Sequence, residues 1–354
     1  MTKVTILDIA ERTGVSAGTV DRVIHNRGEV SLKTREKVLQ AIKELNYEPD
    51  ILARSLASRK TLRFAALLPE GSNPFWIKPT EGLNAACSEI KPFGIAFEEY
   101  RFPYYHKTRF YRQLNAITES KPDGVVIAPV FTDLLQEPLQ KLEDSGIPYV
   151  FMNTQWENSN YLSFVGQDSR QSGRVAARLL DYCIPEDGQI LIINFISSKG
   201  VNSHLQSREQ GFKDYFLSEP GAGKKKILTI NANTQINKDI EDLLSWNLGL
   251  ISEPDETTGI FVTNSRVFHI ANALEKRKKT NIRLVGYDLL EENIRHLRNN
   301  TIDFLIGQKP FEQGYKSIMA LFDAIVRKKE VPGNQFLPID IITKENIDFY
   351  LNLR

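Results

Sequence analysis

Little in this chain points to redox, metal or secretory chemistry. Only two cysteines occur in 354 residues, Cys87 and Cys183, far apart and outside any CxxC spacing. They read as free thiols of a reducing compartment, with a single disulfide between them as the alternative. The five histidines (His25, His106, His204, His269 and His296) are scattered without paired spacing, so no metal site is expected. No apolar run approaches the roughly 18 residues that a membrane span needs, and the amino-terminal stretch has no apolar signal segment. The formal net charge of +1 leaves no global field toward nucleic acid or an acidic membrane surface. HExxH, P-loop and GxGxxG patterns are missing, and with them the usual marks of metal-bound water or a phosphate cradle. Internal repeats and low-complexity segments are lacking as well. A cytoplasmic protein without cofactor, metal or catalytic residues is the expectation.

What is present begins at the amino end. Ile6, Ile9, Ala10, Val15, Val20, Val23 and Ile24 fall at helical spacings, one stripe on each side of Gly14. That predicts two short helices joined by a tight turn, with Ser16 as the N-cap of the second. Ala17, Gly18, Thr19 and Arg22 occupy the second helix's other face. A slim face with an outward arginine can enter a DNA major groove, and a helical hairpin that touches nothing is the plain alternative. Charge does not decide between them: residues 1–60 carry eleven basic against eight acidic side chains. A third helix, Leu32 to Leu45, is expected behind Ser31, with Val38, Ala41, Ile42 and Leu45 inward and Tyr47 closing the core. Pro49 then stops the helix. Asp50 can cap a further helix, Ile51 to Ser58, too short to stand alone in water.

From Arg63 the pattern changes to short apolar runs alternating with helical stretches. Ten runs stand out, from Phe64–Leu68 to Phe304–Ile306. Such alternation predicts parallel sheets covered by helices on both faces, and ten strands suit two lobes better than one sheet. In open α/β sheets, ligands bind beyond the carboxyl ends of the strands. The residues ending these runs are the segment Pro69–Trp76, which holds Asn73, Phe75 and Trp76, the segment Pro129–Phe131, and then Asn153, Asn264, Asp288 and Gln308. Arg208 lies early in the helix after Ile190–Asn194. Amides, one carboxylate and one guanidinium beside two aromatic rings suit a sugar, with its vicinal hydroxyls and C–H face. Singly, each has a bland alternative: Asn264 and Gln308 as loop caps, Asp288 as a helix cap, Phe75 and Trp76 as core, Arg208 as a surface residue. Together they outweigh coincidence.

These residues resemble the LacI/GalR (lac repressor/galactose repressor) family of bacterial transcription regulators over essentially the whole chain. The likeness rests on Thr5-Ile-Leu-Asp-Ile-Ala-Glu, Thr13-Gly-Val-Ser, Thr19-Val-Asp-Arg-Val-Ile, Val30-Ser, Thr34-Arg-Glu-Lys-Val and Leu45-Asn-Tyr-Glu-Pro. Looser matches follow in Asn73-Pro-Phe-Trp, Gly166-Gln-Asp-Ser, Arg208-Glu-Gln-Gly-Phe, Gly286-Tyr-Asp and Ile306-Gly-Gln. The resemblance implies a helix-turn-helix domain over 1–48, a hinge helix within 49–61 and a two-lobed, periplasmic-binding-protein-like (type I) effector domain over 62–354. Its lobes are expected at 62–165 with 304–335, and at 166–303 with 336–354.

It further implies base contacts from Ala17, Gly18 and Arg22, phosphate contacts from Thr5, Ser16, Thr19 and His25, and a minor-groove wedge from Leu56 with Ala53. Two departures matter: Asp21 replaces a usual serine and His25 a usual asparagine, so operator sequence does not carry over. Asn153 stands where relatives often have aspartate, which raises the prospect of a phosphorylated or otherwise anionic effector. The implied function is a homodimeric repressor of sugar-utilisation genes, released or engaged by a sugar or sugar phosphate. Its partners are a pseudo-palindromic operator and that effector, with no membrane contact. A transporter's solute-binding protein without DNA function is the runner-up.

Overall fold

The computed structural model describes residues 4–24, 27–45, 47, 61–70, 74–104, 106–196, 203–219, 225–233, 258–278 and 281–352. Contacts divide the chain into two compact units, Met1–Lys60 and Thr61–Arg354.

The first unit holds α1 (Ile6–Thr13), α2 (Ala17–Ile24) and α3 (Leu32–Glu44). A capping box starts α1: the Asp8 amide donates to Thr5 Oγ1, and the Thr5 amide and hydroxyl donate to Asp8 Oδ2. Those donors hold the Asp8 carboxyl below its ordinary pKa. Gly14 ends α1 with φ +65°, a left-handed turn that suits glycine. Ser16 Oγ then accepts from the Thr19 amide at 3.2 Å and meets the Thr19 hydroxyl at 2.9 Å, so the next helix starts at Ala17. The stripes converge on a core of Ile9, Val20, Val23, Val38 and Ala41, flanked by Ile6, Ala10, Val15, Ile24, Ile42, Leu45 and Tyr47. The hinge segment expected at 49–61 lies outside the described residues, save for Thr61.

The second unit is a doubled α/β structure. Its first lobe is built from β1 (Leu62–Glu70), α4 (Ile77–Ile90), β2 (Ile95–Pro103), α5 (Lys107–Ser120), β3 (Gly124–Ile127), α6 (Gln136–Asp144), β4 (Tyr149–Met152) and β5 (Ser163–Gly166). The chain crosses into a second lobe of α7 (Ser169–Cys183), β6 (Gln189–Ile196), α8 (Ser203–Ser218), β7 (Lys226–Asn233), β8 (Thr258–Val262), α9 (Val267–Arg277), β9 (Ile282–Tyr287), α10 (Glu291–Arg298) and β10 (Phe304–Gly307). It returns for α11 (Pro310–Phe322) and β11 (Asn334–Phe336), then crosses once more to β12 (Asp340–Ile342) and α12 (Ile347–Asn352).

The two sheets share one strand order, β11-β5-β4-β3-β1-β2 and β12-β10-β9-β8-β6-β7. Central strands such as β3, β4 and β8 are buried along their whole length, as parallel strands covered on both faces must be. All ten anticipated strands are present. Two more, β11 and β12, have three residues each, too few for an apolar run to register. β12 also pairs antiparallel with β10, so the second sheet is not purely parallel. The lobe boundary needs correcting as well: 304–335 was assigned to the first lobe, yet β10 bonds to β9 and β12 in the second. The crossings therefore follow Gly166, Gly307 and Phe336.

Gln167 ties all three crossings together. Its Nε2 donates to the carbonyls of Gly307 at 3.0 Å and Pro338 at 3.2 Å. In each lobe a pair of helices also meets backbone to backbone at glycines. A Cβ on Gly82 of α4 would overlap the carbonyl of Phe311, and one on Gly314 of α11 that of Pro79. Likewise a Cβ on Gly173 of α7 would overlap the Arg208 carbonyl, and one on Gly211 of α8 that of Arg170.

Candidate functional site

On the head, Gly18 and Arg22 are exposed one turn apart on α2, while Ala17, Thr19 and Asp21 are half-buried. A Cβ at Gly18 would meet only Ser16 Oγ, at 3.9 Å, so this face is open and slim. The stem of Arg22 lies against Gly28, with Cδ 3.6 Å from where a Cβ would stand. Thr5 serves α1 as its cap, and Ser16 with Thr19 starts α2. Gly14-Val15-Ser16-Ala17-Gly18 spells GxSxG, but Ser16 sits between two helices rather than on the strand-to-helix elbow a hydrolase needs. His25, Ala53 and Leu56 lie outside the described residues.

In the second unit a cavity of about 50 Å3 lies between the lobes at the carboxyl ends of the strands. Phe75, Trp76, Asn153, Arg208, Asn264, Asp288 and Gln308 all line it. Asn73 lies outside the described residues. Phe75 and Trp76 open α4 on a short 3-10 turn, packed edge to face with ring centres 5.1 Å apart. Asn153 and Asp288 end β4 and β9 in the same left-handed conformation, φ +70°, which turns each side chain out of its sheet.

Arg208 is the most constrained of the set. Only 2% exposed, it stacks over the Tyr287 ring at 3.8 Å and donates to the Thr263 carbonyl at 2.8 Å and to Gln308 Oε1. Gln308 passes the contact on, its Nε2 donating to Asp288 Oδ2 at 2.7 Å. Burial pushes the Asp288 carboxyl up to about 7, against the pull of Arg208 and Gln308. Three buried polar atoms on this cavity lack a partner: Trp76 Nε1, Arg208 Nε and Asp288 Oδ1. A buried unpartnered polar atom costs about 1–3 kcal/mol, so such atoms in one cavity mark a place where a ligand completes the bonding.

The bland alternatives fare differently from residue to residue. Asn264 does serve as a loop cap: its Oδ1 accepts from the Arg266 amide and its Nδ2 donates to the Phe195 carbonyl. Asp288 does not cap α10, whose N-cap is Leu290 without a side-chain bond. The strand-end segment Pro129–Phe131 does reach the lining through Val130 and Phe131, whereas sequence reasoning missed His204, Arg266 and Tyr104. It also missed two positioning amides. Asn293 Nδ2 reaches the carbonyls of Ser265, Tyr287 and Asp288, holding two cavity loops together. Gln313 accepts from Asn153 at 3.3 Å and donates to the Gln308 carbonyl at 2.9 Å. Asn293 and Gln313 sit inside helices with no local mark.

A slim-faced helix-turn-helix head joined to a two-lobed binding unit is the build of a ligand-controlled DNA-binding regulator. Comparison with known proteins gives the family. Residues 5–50 match bacterial regulatory proteins of the lacI family, and residues 64–330 match a periplasmic binding protein domain. The ribose operon repressor of Halalkalibacterium halodurans is 28% identical over 350 residues, covering 96% of each chain. Catabolite control protein A of Priestia megaterium is 25% identical over 290 residues, 80% of this chain and 82% of that protein. Among solved structures, a putative LacI transcriptional regulator from Bacteroides fragilis is 33% identical with a TM-score of 0.73, covering 82% of this chain and all of that one. The chain belongs to the lacI family of bacterial regulatory proteins, and it is a DNA-binding transcriptional regulator rather than an enzyme.

Proposed function

We propose that this regulator represses sugar-utilisation genes and that a sugar or sugar derivative, bound between the two lobes, sets its affinity for operator DNA. The observation that carries this reading is the convergence of Trp76 Nε1, Arg208 Nε and Asp288 Oδ1, buried and without partners, on one interlobe cavity. Two donors and one carboxyl oxygen beside the rings of Phe75 and Trp76 match a polyhydroxyl ring with a C–H face. Asn153 supplies the first lobe's polar contact, and Gln308 with Asn264 sets the second lobe's loops.

On the head, Ala17, Gly18 and Arg22 face the bases of the major groove, Asp21 meets a cytosine amino group or a basic neighbour, and Thr5, Ser16 and Thr19 lie toward phosphates. Such heads read pseudo-palindromic half-sites in pairs, so the working form is a homodimer in the cytoplasm, where operator DNA lies. His25, Ala53 and Leu56 complete the DNA contacts. Ligand and operator are coupled reciprocally: whatever factor the sugar takes from operator affinity, the operator takes from sugar affinity.

A thermal-shift screen of the full chain against monosaccharides, disaccharides and sugar phosphates tests this. At least one raises the melting temperature of the wild type, and Asp288→Ala loses that rise. A library without effect, or an unchanged rise in Asp288→Ala, overturns the assignment.

A further inference from the structure

Beside the inner cavity runs a groove of about 1040 Å3, and the two share Asn153 and His204. Roughly 300–1,000 Å3 is the usual span of small-molecule sites, so the groove is large enough to be one, whereas the cavity must widen to take a ring. Like the cavity, it has buried polar atoms without partners: Gln155 Oε1, Gln167 Oε1 and Ser203 Oγ. Gln167 is 2% exposed. Its amide cannot be turned round, because its nitrogen already donates to two backbone carbonyls. The nitrogen of Gln155 likewise donates to Glu157, at 3.4 Å. Both glutamines therefore present acceptors, and what they lack is donors.

The remaining wall gives the character of the donor. Phe336 is 52% exposed and stands edge-on to Phe164 with ring centres 6.0 Å apart, leaving an aromatic surface in the groove. The arginines there are paired within the protein, Arg170 with Asp214 and Arg174 with Glu219, while the carboxylates Asp168 and Glu157 accept from the Gln171 and Gln155 amides. A neutral, hydroxyl-bearing ring with a C–H face fits this wall better than an anion. Beside the shared His204, a 3.0 Å hydrogen bond joins Thr154 Oγ1 on the first lobe to His204 Nδ1 on the second. Burial and the neighbouring Arg208 charge lower the His204 pKa to about 3, so its imidazole stays neutral and offers one donor and one acceptor.

We propose that the groove is a second sugar subsite continuous with the cavity, so that the effector is an oligosaccharide of at least two rings. One ring occupies the cavity. The next lies against Phe336 with hydroxyls donating to Gln155 and Gln167, and the glycosidic link passes beside His204, opening its bond to Thr154. This inference rests on the cavity being a sugar site.

The test is calorimetric titration of the full chain with glucose, galactose and xylose, and with maltose, cellobiose, lactose and xylobiose. At least one disaccharide binds about tenfold or more tightly than its component monosaccharides. Phe336→Ala and Gln155→Ala each weaken that disaccharide about 3–10-fold and leave the monosaccharide unchanged, at near wild-type melting temperature. Arg208→Ala loses both ligands. A monosaccharide that binds as tightly as every disaccharide containing it, or groove variants that leave the disaccharide unaffected or weaken both sugars alike, overturns the subsite while the cavity assignment stands. If no sugar of either length binds, both fall.

Discussion

The two lobes are built alike and furnished differently. Asn153 and Asp288 occupy equivalent strand ends with φ +70°, and the backbone amide of each donates to the neighbouring strand's carbonyl at 3.0 Å. Gly166-Gln167 after β5 answers Gly307-Gln308 after β10, and the Gly82/Gly314 helix crossing answers Gly173/Gly211. Against that shared frame, the first lobe faces the cavity with rings (Phe75, Trp76, Phe131) and a neutral amide. The second faces it with Arg208, Arg266 and Asp288. Buried charge needs a fixed, hydrogen-bonded setting, and the second lobe supplies it through Tyr287, Thr263, Gln308 and Asn293. Stacking surfaces need no such network. On the proposed reading, the second lobe's polar set selects the ligand and the first lobe's rings pack against it.

The largest break in this comparison is Arg208→Ala. It removes the guanidinium that faces the ligand and holds Gln308 against Asp288, and losing one charge-assisted hydrogen bond to the ligand costs about 1.5–3 kcal/mol, so sugar affinity falls by roughly tenfold or more. Removing the equivalent polar contact of the first lobe, in Asn153→Ala, has the smaller effect in the same titration. Equal losses would erase the asymmetry.

Asp288→Asn comes next and carries a pH signature. The folded carboxyl titrates near 7, well above its ordinary value near 4, so the folded chain holds a proton that the unfolded chain has released. Stability therefore falls as pH rises from about 4 to about 7, and levels off above that. Melting curves across pH 4.5–8 show this slope in the wild type and a flatter one in Asp288→Asn. A slope of the opposite sign, or one unchanged by the substitution, rejects a proton on Asp288.

The smallest effect separates packing from positioning. Gly173→Ala and Gly314→Ala each force a helix pair apart, and both lower the melting temperature by the equivalent of about 1–3 kcal/mol. Only Gly173→Ala displaces the backbone of Arg208, so only it also weakens sugar binding. Equal binding in the two variants would show that Arg208 tolerates the shift.

The difference between the lobes also explains what was legible in the sequence. Helix spacing, the Gly14 turn and the Ser16 cap are local, so the head could be read residue by residue. Ten strands announced themselves as apolar runs, and residues ending those runs led to Asn153, Asn264, Asp288 and Gln308. Three-residue β11 and β12 left no such mark. With them went the placing of β10, because a strand's lobe depends on its neighbours in space. Asn293 and Gln313 were invisible for the same reason, and the Gly166-Gln-Asp-Ser match marked Gln167 without showing its role: each acts on carbonyls or side chains distant in the chain, or inside a helix where an amide has no distinctive setting. The duplication escaped too, since it lies in strand order and backbone conformation rather than in repeated letters.

If the second lobe's charge set governs DNA binding, removing Arg208 uncouples the operator from the sugar. The direct measurement is fluorescence anisotropy of the full chain on an operator selected by the protein itself, with and without the sugar found by thermal shift. The sugar changes wild-type operator affinity about 5–150-fold, the usual span of such coupling, and Arg208→Ala binds the operator but no longer responds. An Arg208→Ala protein that responds like the wild type, or a sugar that binds while leaving operator affinity unchanged, contradicts it.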